Sequence, residues 1–424
     1  MPFVPQTASF GETLLVGLYL VALFAEFARL SFELLVLYSF RETRALQELT
    51  PDQIAVVIPC HNSESVICET LNALPHQYTV YCVVNNSSDG TARILGNYHT
   101  GERDIRIIDV TYPQRSKTRA VVVGTVAAQQ DGFTHVLQVD DDVTWPSGVG
   151  AIAVYDPAAP VTALAVLPYR TGNLMQGFQG LEYISVHLNK TVQALFGKNV
   201  TWASGAGAIY RCDTLLQTLK LHDGDFIGED VQCSYLHHYL GYRIDAVSDC
   251  VIYTQVPANL RDWWKQRCHC WDISLMFYHT DLLLKVLFAP IGRGAGGWMR
   301  LMTFYRLYDA VSVIVKVTLP ILLFVNFQLF LTFVALSYAS VAIKFPSHLY
   351  LFGLRKLQIT PKLALGFFLY PLYEYLIWVS RLAALPRAVA LIGRGRSLLG
   401  DFGDRCSGRF KEIKRPYRLV HMDL

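Results

Sequence analysis

Residues 135–142 read His-Val-Leu-Gln-Val-Asp-Asp-Asp, a short apolar run that ends on three carboxylates. Side chains alternate along a strand, so Asp140 and Asp142 share one side and Asp141 takes the other. An acidic surface turn has the same composition, but the apolar residues directly ahead favour a buried strand that delivers two acids to its carboxyl end. Two hard carboxylates so placed suit Mg2+ or Mn2+ bridging a diphosphate.

Working outward, the same grammar repeats upstream. Residues 54–59 (Ile-Ala-Val-Val-Ile-Pro), Val80–Val84 and Ile105–Val110 are short β-rich runs, as strands buried on both faces would be. Residues 64–74 and 118–129 suit helices between them. Strands alternating with helices imply a parallel α/β sheet with ligands outside the carboxyl ends of its strands. Pro59, Asn85, Asn86, Asp140 and Asp142 lie at those ends. No Walker A loop is present, and the glycine-rich stretch 292–297 follows no strand, which makes it a turn rather than a phosphate cradle.

Four further segments offer chemistry, each with a plainer reading beside it. Lys117, near Arg115 and Arg119, opens the helix ahead of the acidic strand and suits an anion at a helix N-terminus; a solvated basic turn has the same residues. Ser204-Gly-Ala-Gly207 lets a ligand approach the backbone, or is a tight turn. Glu229-Asp230 precedes a helix-like run over 231–240 and serves either as its cap or as a base that deprotonates a hydroxyl. Gln266-Arg267-Cys-His-Cys-Trp271 follows Trp263-Trp264-Lys265. Tryptophans beside basic residues mark a membrane-interface belt or an indole face for a sugar with a cation for phosphate. Cys268, His269 and Cys270 are too crowded for a zinc site.

Both ends of the chain are oily. Hydrophobic residues make up 52% of the 424 and charged residues 17%, against about 25% charged in an ordinary soluble domain. The formal charge of +3 gives no reason to expect nucleic acid, and nine scattered cysteines fit reduced thiols. Residues 14–40 are long enough to span a bilayer and carry no cleavage signature of a signal peptide. Glu26, Arg29 and Glu33 share one helical face there, which reads as packed on protein; an amphipathic surface helix is the other reading. Basic residues at 41–44 set the middle region on the cytosolic side. Residues 310–343 are long enough for two spans with a break at Pro320 or Asn326, residues 363–385 suit another, and the tail over 387–418 is basic. For that tail to be cytosolic, either one of these blocks is interfacial or residues 275–291 also span. The expected division is an N-terminal membrane helix (1–44), a cytosolic α/β domain (45–257), interfacial helices with the Trp-rich box (258–300), membrane helices (301–390) and a basic cytosolic tail (391–424).

In this order the pieces resemble the membrane-integrated family-2 glycosyltransferases, the hyaluronan, chitin and cellulose synthases and their relatives. Residues 56–62 (Val-Val-Ile-Pro-Cys-His-Asn) look like the opening strand and nucleotide loop, Ser116-Lys-Thr-Arg-Ala120 like the family's Gly-Lys-x-x-Ala, and Asp140-x-Asp142 like its metal-binding DxD. Ser204-Gly205 with Tyr210-Arg211 is similar to the acceptor-lining segment, and Glu229-Asp230 to the catalytic pair. The resemblance implies a GT-A-like, Rossmann-like domain with a mostly parallel sheet, flanked by transmembrane and interfacial helices. It implies Mn2+ or Mg2+ on Asp142 and Asp140, and Asp230 as base beside Glu229. Pro59, Asn86, Asp89, Lys117, Asp140 and Arg267 would contact the nucleotide, and Ser204, Gly205, Gln266 and Trp271 the acceptor.

Two features depart from the family. Asn85-Asn86, then Asp89, stand where it usually has an aspartate for uracil, and its QxxRW box carries an extra residue here, keeping Gln266, Arg267 and Trp271. The resemblance implies a UDP-sugar donor, an inverted β-linked product and a processive synthase that exports its polymer through the bilayer. The alternatives are single transfer to a lipid acceptor (ceramide or a polyprenyl phosphate) and an inactive membrane scaffold. The oligomeric state is not legible. Asn85, Asn86, Asn189 and Asn199 head N-x-Ser/Thr sequons in the domain expected to be cytosolic, where none would carry glycan.

Overall fold

The computed structural model describes residues 10–98, 103–112, 116–146, 150–169, 172–222, 228–268, 280–288, 296–354 and 361–393. Helix α1 (Phe10–Ser39) leads through β1 (Gln47–Leu49) into β2 (Ile54–Cys60), α2 (Ile67–Ala73), β3 (Val80–Asn85), α3 (Thr91–Gly96), β4 (Ile105–Val110), α4 (Lys117–Gln130) and β5 (His135–Val139). Next come β6 (Val143–Thr144), β7 (Ile152–Val154), β8 (Val161–Pro168), α5 (Leu174–Gly197), β9 (Gly207–Arg211), α6 (Cys212–Leu219), α7 (Glu229–Tyr239), β10 (Ile244–Thr254) and α8 (Leu260–Gln266). The helical end comprises α9 (Thr280–Leu287), α10 (Gly297–Val317), α11 (Leu319–Val325), α12 (Phe327–Leu354) and α13 (Pro361–Gly393).

Strands β4-β3-β2-β5 pair in parallel. The apolar runs of β2 and β3 follow from burial on both faces, whereas the edge strand β4 carries Arg106 and Asp109 and is partly exposed. Along β2, Ile54, Val56 and Ile58 enter one core layer while Ala55 and Val57 enter the other. Helix α4 lies directly on this sheet, and a side-chain carbon at Gly124 would come 2.5 Å from Val57 Cγ1, so glycine there permits the close approach.

The expectation of a mostly parallel sheet holds for that half and for the parallel β8–β10 pair. Beyond β5 the eight-stranded sheet continues β9-β8-β10-β6, with β9 antiparallel to both β5 and β8, and β6 antiparallel to β10. Strand β5 is therefore the seam between a parallel and a mixed half. Its acidic end is held by β6, which pairs with Tyr253–Thr254 three residues after the triple aspartate begins. Helix α2 starts at Ile67 rather than 64, because Ser63 is engaged by Asp141.

The helical layer docks on the sheet domain through α5 and α8. Phe178 and Tyr373 stack at 4.8 Å, Trp263 Nε1 donates to Tyr373 Oη at 3.0 Å, and Asn189 donates to Glu33 at 3.0 Å. Trp298 on α10 packs on Phe196 and Phe32, over Gly197, which has no room for a side chain. Arg29 pairs with Glu26 and Glu33 on the inward face of α1, as the spacing predicts. Asn326 separates α11 from α12, whereas Pro320 lies within α11. Among the described residues no helix is long and apolar enough to cross a membrane. The described helix within 275–291 has eight residues, a rise of about 12 Å against a hydrocarbon core of about 30 Å. Residues 275–279 and 289–291 of that candidate span lie outside the described residues.

Candidate active site

Four acids and one lysine meet where β5 ends and α4 and α7 begin. Ser116 caps α4 by accepting from the Arg119 amide at 3.3 Å, which aims Lys117 across the strand ends. The Lys117 ammonium lies 2.5 Å from Asp140 Oδ1 and 2.6 Å from Glu229 Oε1. Asp230 Oδ2 accepts from the Gly205 amide and Oδ1 from the Val231 amide, both at 2.9 Å. Ser234 Oγ donates to the Asp230 carbonyl and accepts from the Ala203 amide, clamping the start of α7 to the 203–205 turn. A side chain at Gly205 would stand 3.1–3.2 Å from Glu229 Oε1, Asp230 Cβ and Lys117 Nζ together. Residues 204–207 therefore form a tight turn whose backbone lies against the acids.

The alternation along β5 is as the sequence implies. Asp141 points away, accepting from Ser63 Oγ and the His61 amide, while its carbonyl accepts from Thr70. Asp140 and Asp142 remain on the site side. Burial pushes Asp140 up to about 7; Lys117 opposes this, and the Asp142 and Glu229 charges reinforce it. Burial likewise lifts Asp142 to about 6, with the Asp141 charge adding and Lys117 opposing. Asp230 is raised by burial and by the Glu229 charge. Glu229 is lowered, because Lys117 outweighs its burial.

These acids fit a divalent ion. Two hard carboxylates at one strand end, both raised, form a site short of positive charge. Among the described residues no group of three or more His, Cys, Asp or Glu could hold a metal by itself. A diphosphate and waters would complete the coordination, as Mg2+ usually requires.

The nucleotide residues expected from sequence separate into two groups. Pro59, buried in β2 beside Val83, and Lys117 lie at the strand ends. Asn86 does not present its amide: Nδ2 donates to the Tyr112 carbonyl and Oδ1 accepts from the Tyr112 amide, with φ at +52°. Asp89 accepts from the amide and hydroxyl of Thr91, the first residue of α3, and from the Glu64 amide. Asn85 is the neighbour with spare capacity. Its Nδ2 donates to the Ser116 carbonyl at 2.9 Å, while its buried Oδ1 has no hydrogen-bond partner among the described residues.

Arg267 is buried, with both guanidinium arms on Glu182 at 2.7 and 2.5 Å, under Trp263. Tyr373 Oη joins the same carboxylate at 2.7 Å. Gln266 ends α8, half-buried, next to this network. Arg115, His269, Cys270, Trp271 and the segment 292–295 lie outside the described residues. Sequence reasoning missed Glu182, Tyr183, Lys190, Trp202 and Arg306. Tyr183 lies in the combined field of Arg267, Glu182, Asp142 and Asp140, so α5 links the Trp box to the acids. Behind the 201–205 turn is a cavity of about 320 Å³, lined by α1, α5, α10, α12 and α13.

Residues 51–269 match the model of the family described as glycosyltransferase like family 2. The poly-beta-1,6-N-acetyl-D-glucosamine synthase of Staphylococcus aureus is 26% identical over 244 residues, 54% of this chain and 58% of that protein. The probable glycosyltransferase YdaM of Bacillus subtilis is 24% identical over 231 residues, 51% of this chain and 53% of that one. The chain thus spans a little over half the length of these curated relatives. Among solved structures, the mannosyltransferase PcManGT of Pyrobaculum calidifontis, in complex with GDP-Man and Mn2+, is similar with a TM-score of 0.54. Identity is 15%, and the match covers 89% of this chain and 98% of that one, a likeness of fold alone.

Proposed function

Because this chain belongs to glycosyltransferase-like family 2, whose model covers just over half of its length, we propose that it is a membrane-embedded, inverting enzyme that moves a sugar from a UDP-sugar to the end of a growing β-linked polysaccharide. The observation that carries this reading is the meeting of Asp140, Glu229 and Lys117, with the amide-bound Asp230 alongside, at the carboxyl end of the seam strand. In a single displacement the acceptor oxygen bonds to the anomeric carbon, and the bond to the diphosphate breaks with its electron pair leaving on UDP. The proton passes to Asp230. Two amide bonds fix the orientation of that carboxylate, and burial beside Glu229 raises its basicity, as a general base requires. Asp140 and Asp142 would hold Mn2+ or Mg2+, which would supply positive charge to the departing diphosphate. Lys117 turns from the acids toward the same phosphates, and Asn85 Oδ1 offers an acceptor to the imide N–H of uracil.

The helical layer belongs in a bilayer in this reading, with the domain cytosolic. Support comes from its outward apolar side chains, among them Phe24, Phe324 and Phe368 at 75%, 87% and 70% exposure. The charges of α1 turn inward as pairs. Three of the four sequon asparagines are spent on internal bonds, Asn86 to Tyr112, Asn189 to Glu33 and Asn199 to the Ile244 amide, and Asn85 is buried. Glycan on any of them in cells would overturn the orientation. Repeated transfer is favoured by the polymer named for the S. aureus relative. Single transfer to a lipid is the second reading, favoured by a cavity set among helices with apolar outer faces. Incubating the purified chain with radiolabelled UDP-sugars and Mn2+, then sizing the product, decides between them. High-molecular-weight polymer supports the first, one added sugar on lipid the second, and no transfer from any donor removes both.

A further inference from the structure

A line of side-chain hydrogen bonds runs from α1 to the turn that holds Asp230. Glu33 Oε1 accepts from Asn189 Nδ2 at 3.0 Å, and Asn189 Oδ1 accepts from Gln193 Nε2 at 2.5 Å. Gln193 Oε1 then accepts from both donors of Thr201, its amide at 2.8 Å and its hydroxyl at 3.1 Å. Asn189 and Gln193 lie one turn apart on α5 and so share a face. The chemistry of the two ends fixes every direction between them. The Thr201 amide can only donate, and the Glu33 carboxylate, paired with Arg29, can only accept. Turning either carboxamide around would face acceptor with acceptor on one side and donor with donor on the other. Gln193 and Thr201 are buried, where a bond left unmade is costly.

Thr201 opens the segment whose other end is Gly205. Its carbonyl accepts from His238 Nε2 at 3.2 Å, the Ala203 amide donates to Ser234, and the Gly205 amide donates to Asp230. The segment is thus fastened to α7 along its length and to α5 through Gln193. Asp230 takes its orientation from the Gly205 amide on this segment and the Val231 amide on its own helix. A segment free to shift against α7 would carry the first of those amides away from the second. We propose that Gln193, braced by Asn189 and Glu33, is a positioning residue: it holds residues 201–205, and through the Gly205 amide the Asp230 carboxylate, in the orientation for proton abstraction. A reacting group misplaced by about 1 Å costs about a hundredfold in rate. The brace also ties the base to α1, where Arg29 closes the line. The inference rests on Asp230 as the base, as proposed above.

Steady-state transfer from a UDP-sugar, UDP binding and amide hydrogen exchange on the full chain in neutral detergent test this. Gln193→Leu removes the acceptor from Thr201 and the donor from Asn189. The expected result is a fall in kcat of roughly ten- to a hundredfold, with UDP affinity and donor KM within about twofold of wild type. Exchange across residues 201–205 should speed up by about tenfold or more. Asn189→Leu, one bond further out, should give the same pattern at smaller amplitude, and it carries the test if Gln193→Leu does not fold. In an Asp230→Asn background Gln193→Leu should slow transfer by less than about threefold, because a residue that acts through the base has nothing left to position. A lower Tm with wild-type kcat and unchanged exchange would make Gln193 structural and overturn the proposal. So would the full loss repeated in the Asp230→Asn background. Wild-type turnover by Asp230→Asn, or no transfer by the wild type from any donor, would remove the proposed reaction and the catalytic role of Gln193 with it. The exchange measurement reads the brace itself in that case, and unchanged exchange would remove the brace as well.

Discussion

The Lys117 ammonium lies 2.5 Å from Asp140 Oδ1, so the chain itself supplies a cation at the end of its acidic strand. Glu229 shares that ammonium, which makes Lys117 the residue that holds the two acidic pairs together. Lys117→Met leaves both carboxylates without their common counter-charge. UDP affinity and kcat/KM should each fall roughly ten- to a hundredfold, corresponding to a charged hydrogen bond of about 1.5–3 kcal/mol. Calorimetric UDP titration beside steady-state rates checks it, and a variant with wild-type values for both would remove Lys117 from the site.

Asp230→Asn separates binding from proton transfer. The carboxamide oxygen still accepts from the Gly205 amide, so the turn is kept. A carboxamide takes up no proton, and kcat should drop by about 10²–10⁴ with UDP affinity unchanged. Single-turnover assays beside UDP binding give the split; comparable turnover would assign the base elsewhere.

Gly205→Ala tests the crowding of the turn. The added carbon meets Glu229, Asp230 and Lys117 at 3.1–3.2 Å, so at least one of the three must give way. Overpacking of this kind costs about 1–3 kcal/mol. The Tm should fall and kcat with it. A variant as active and as stable as the wild type would show that the turn yields freely.

The raised acids fix a pH dependence. Asp140 near 7 and Asp142 near 6 hold protons in the native state that the unfolded chain has lost above about pH 4. The native state then binds more protons, so stability declines as pH rises from about 4 through 7. A divalent ion reverses the trend, because it binds the ionised pair. Thermal unfolding with and without Mn2+ should show a gain in Tm that is small at pH 5 and grows toward pH 8. A gain independent of pH would separate these acids from the metal.

The parallel half of the sheet was legible because β2, β3 and β5 are buried and mostly apolar, a pattern that burial on both faces imposes. The antiparallel β9 was not, since Gly-Ala-Ile-Tyr-Arg over 207–211 has no run of its own and is fixed by its neighbours β5 and β8. The acids were legible from their position after apolar steps. Asn86 and Asp89 misled because short polar side chains in turns bond to nearby backbone as readily as to a ligand. Lys190, Trp202 and Arg306 come from a helix, a turn and a distant helix, and no spacing in the chain announces that they share a ring.

Arg267 poses the remaining choice between nucleotide contact and structural pairing. Both of its arms lie on Glu182, and Tyr373 from α13 shares that carboxylate, so the pair joins the Trp box, α5 and the helical layer. Arg267→Met alone leaves Glu182 with a buried, uncompensated charge, and breaking such a pair costs about 3–5 kcal/mol. The Tm should fall sharply. Removing the acid as well, in Arg267→Met with Glu182→Leu, takes away the unpaired charge and should restore most of the loss. UDP affinity in that double variant then isolates the second role. A value within a factor of two of wild type makes Arg267 a joint between the domain and its helices. A loss of tenfold or more, in a protein whose Tm has recovered, assigns its guanidinium to the nucleotide, with Glu182 as the partner it leaves when the donor binds.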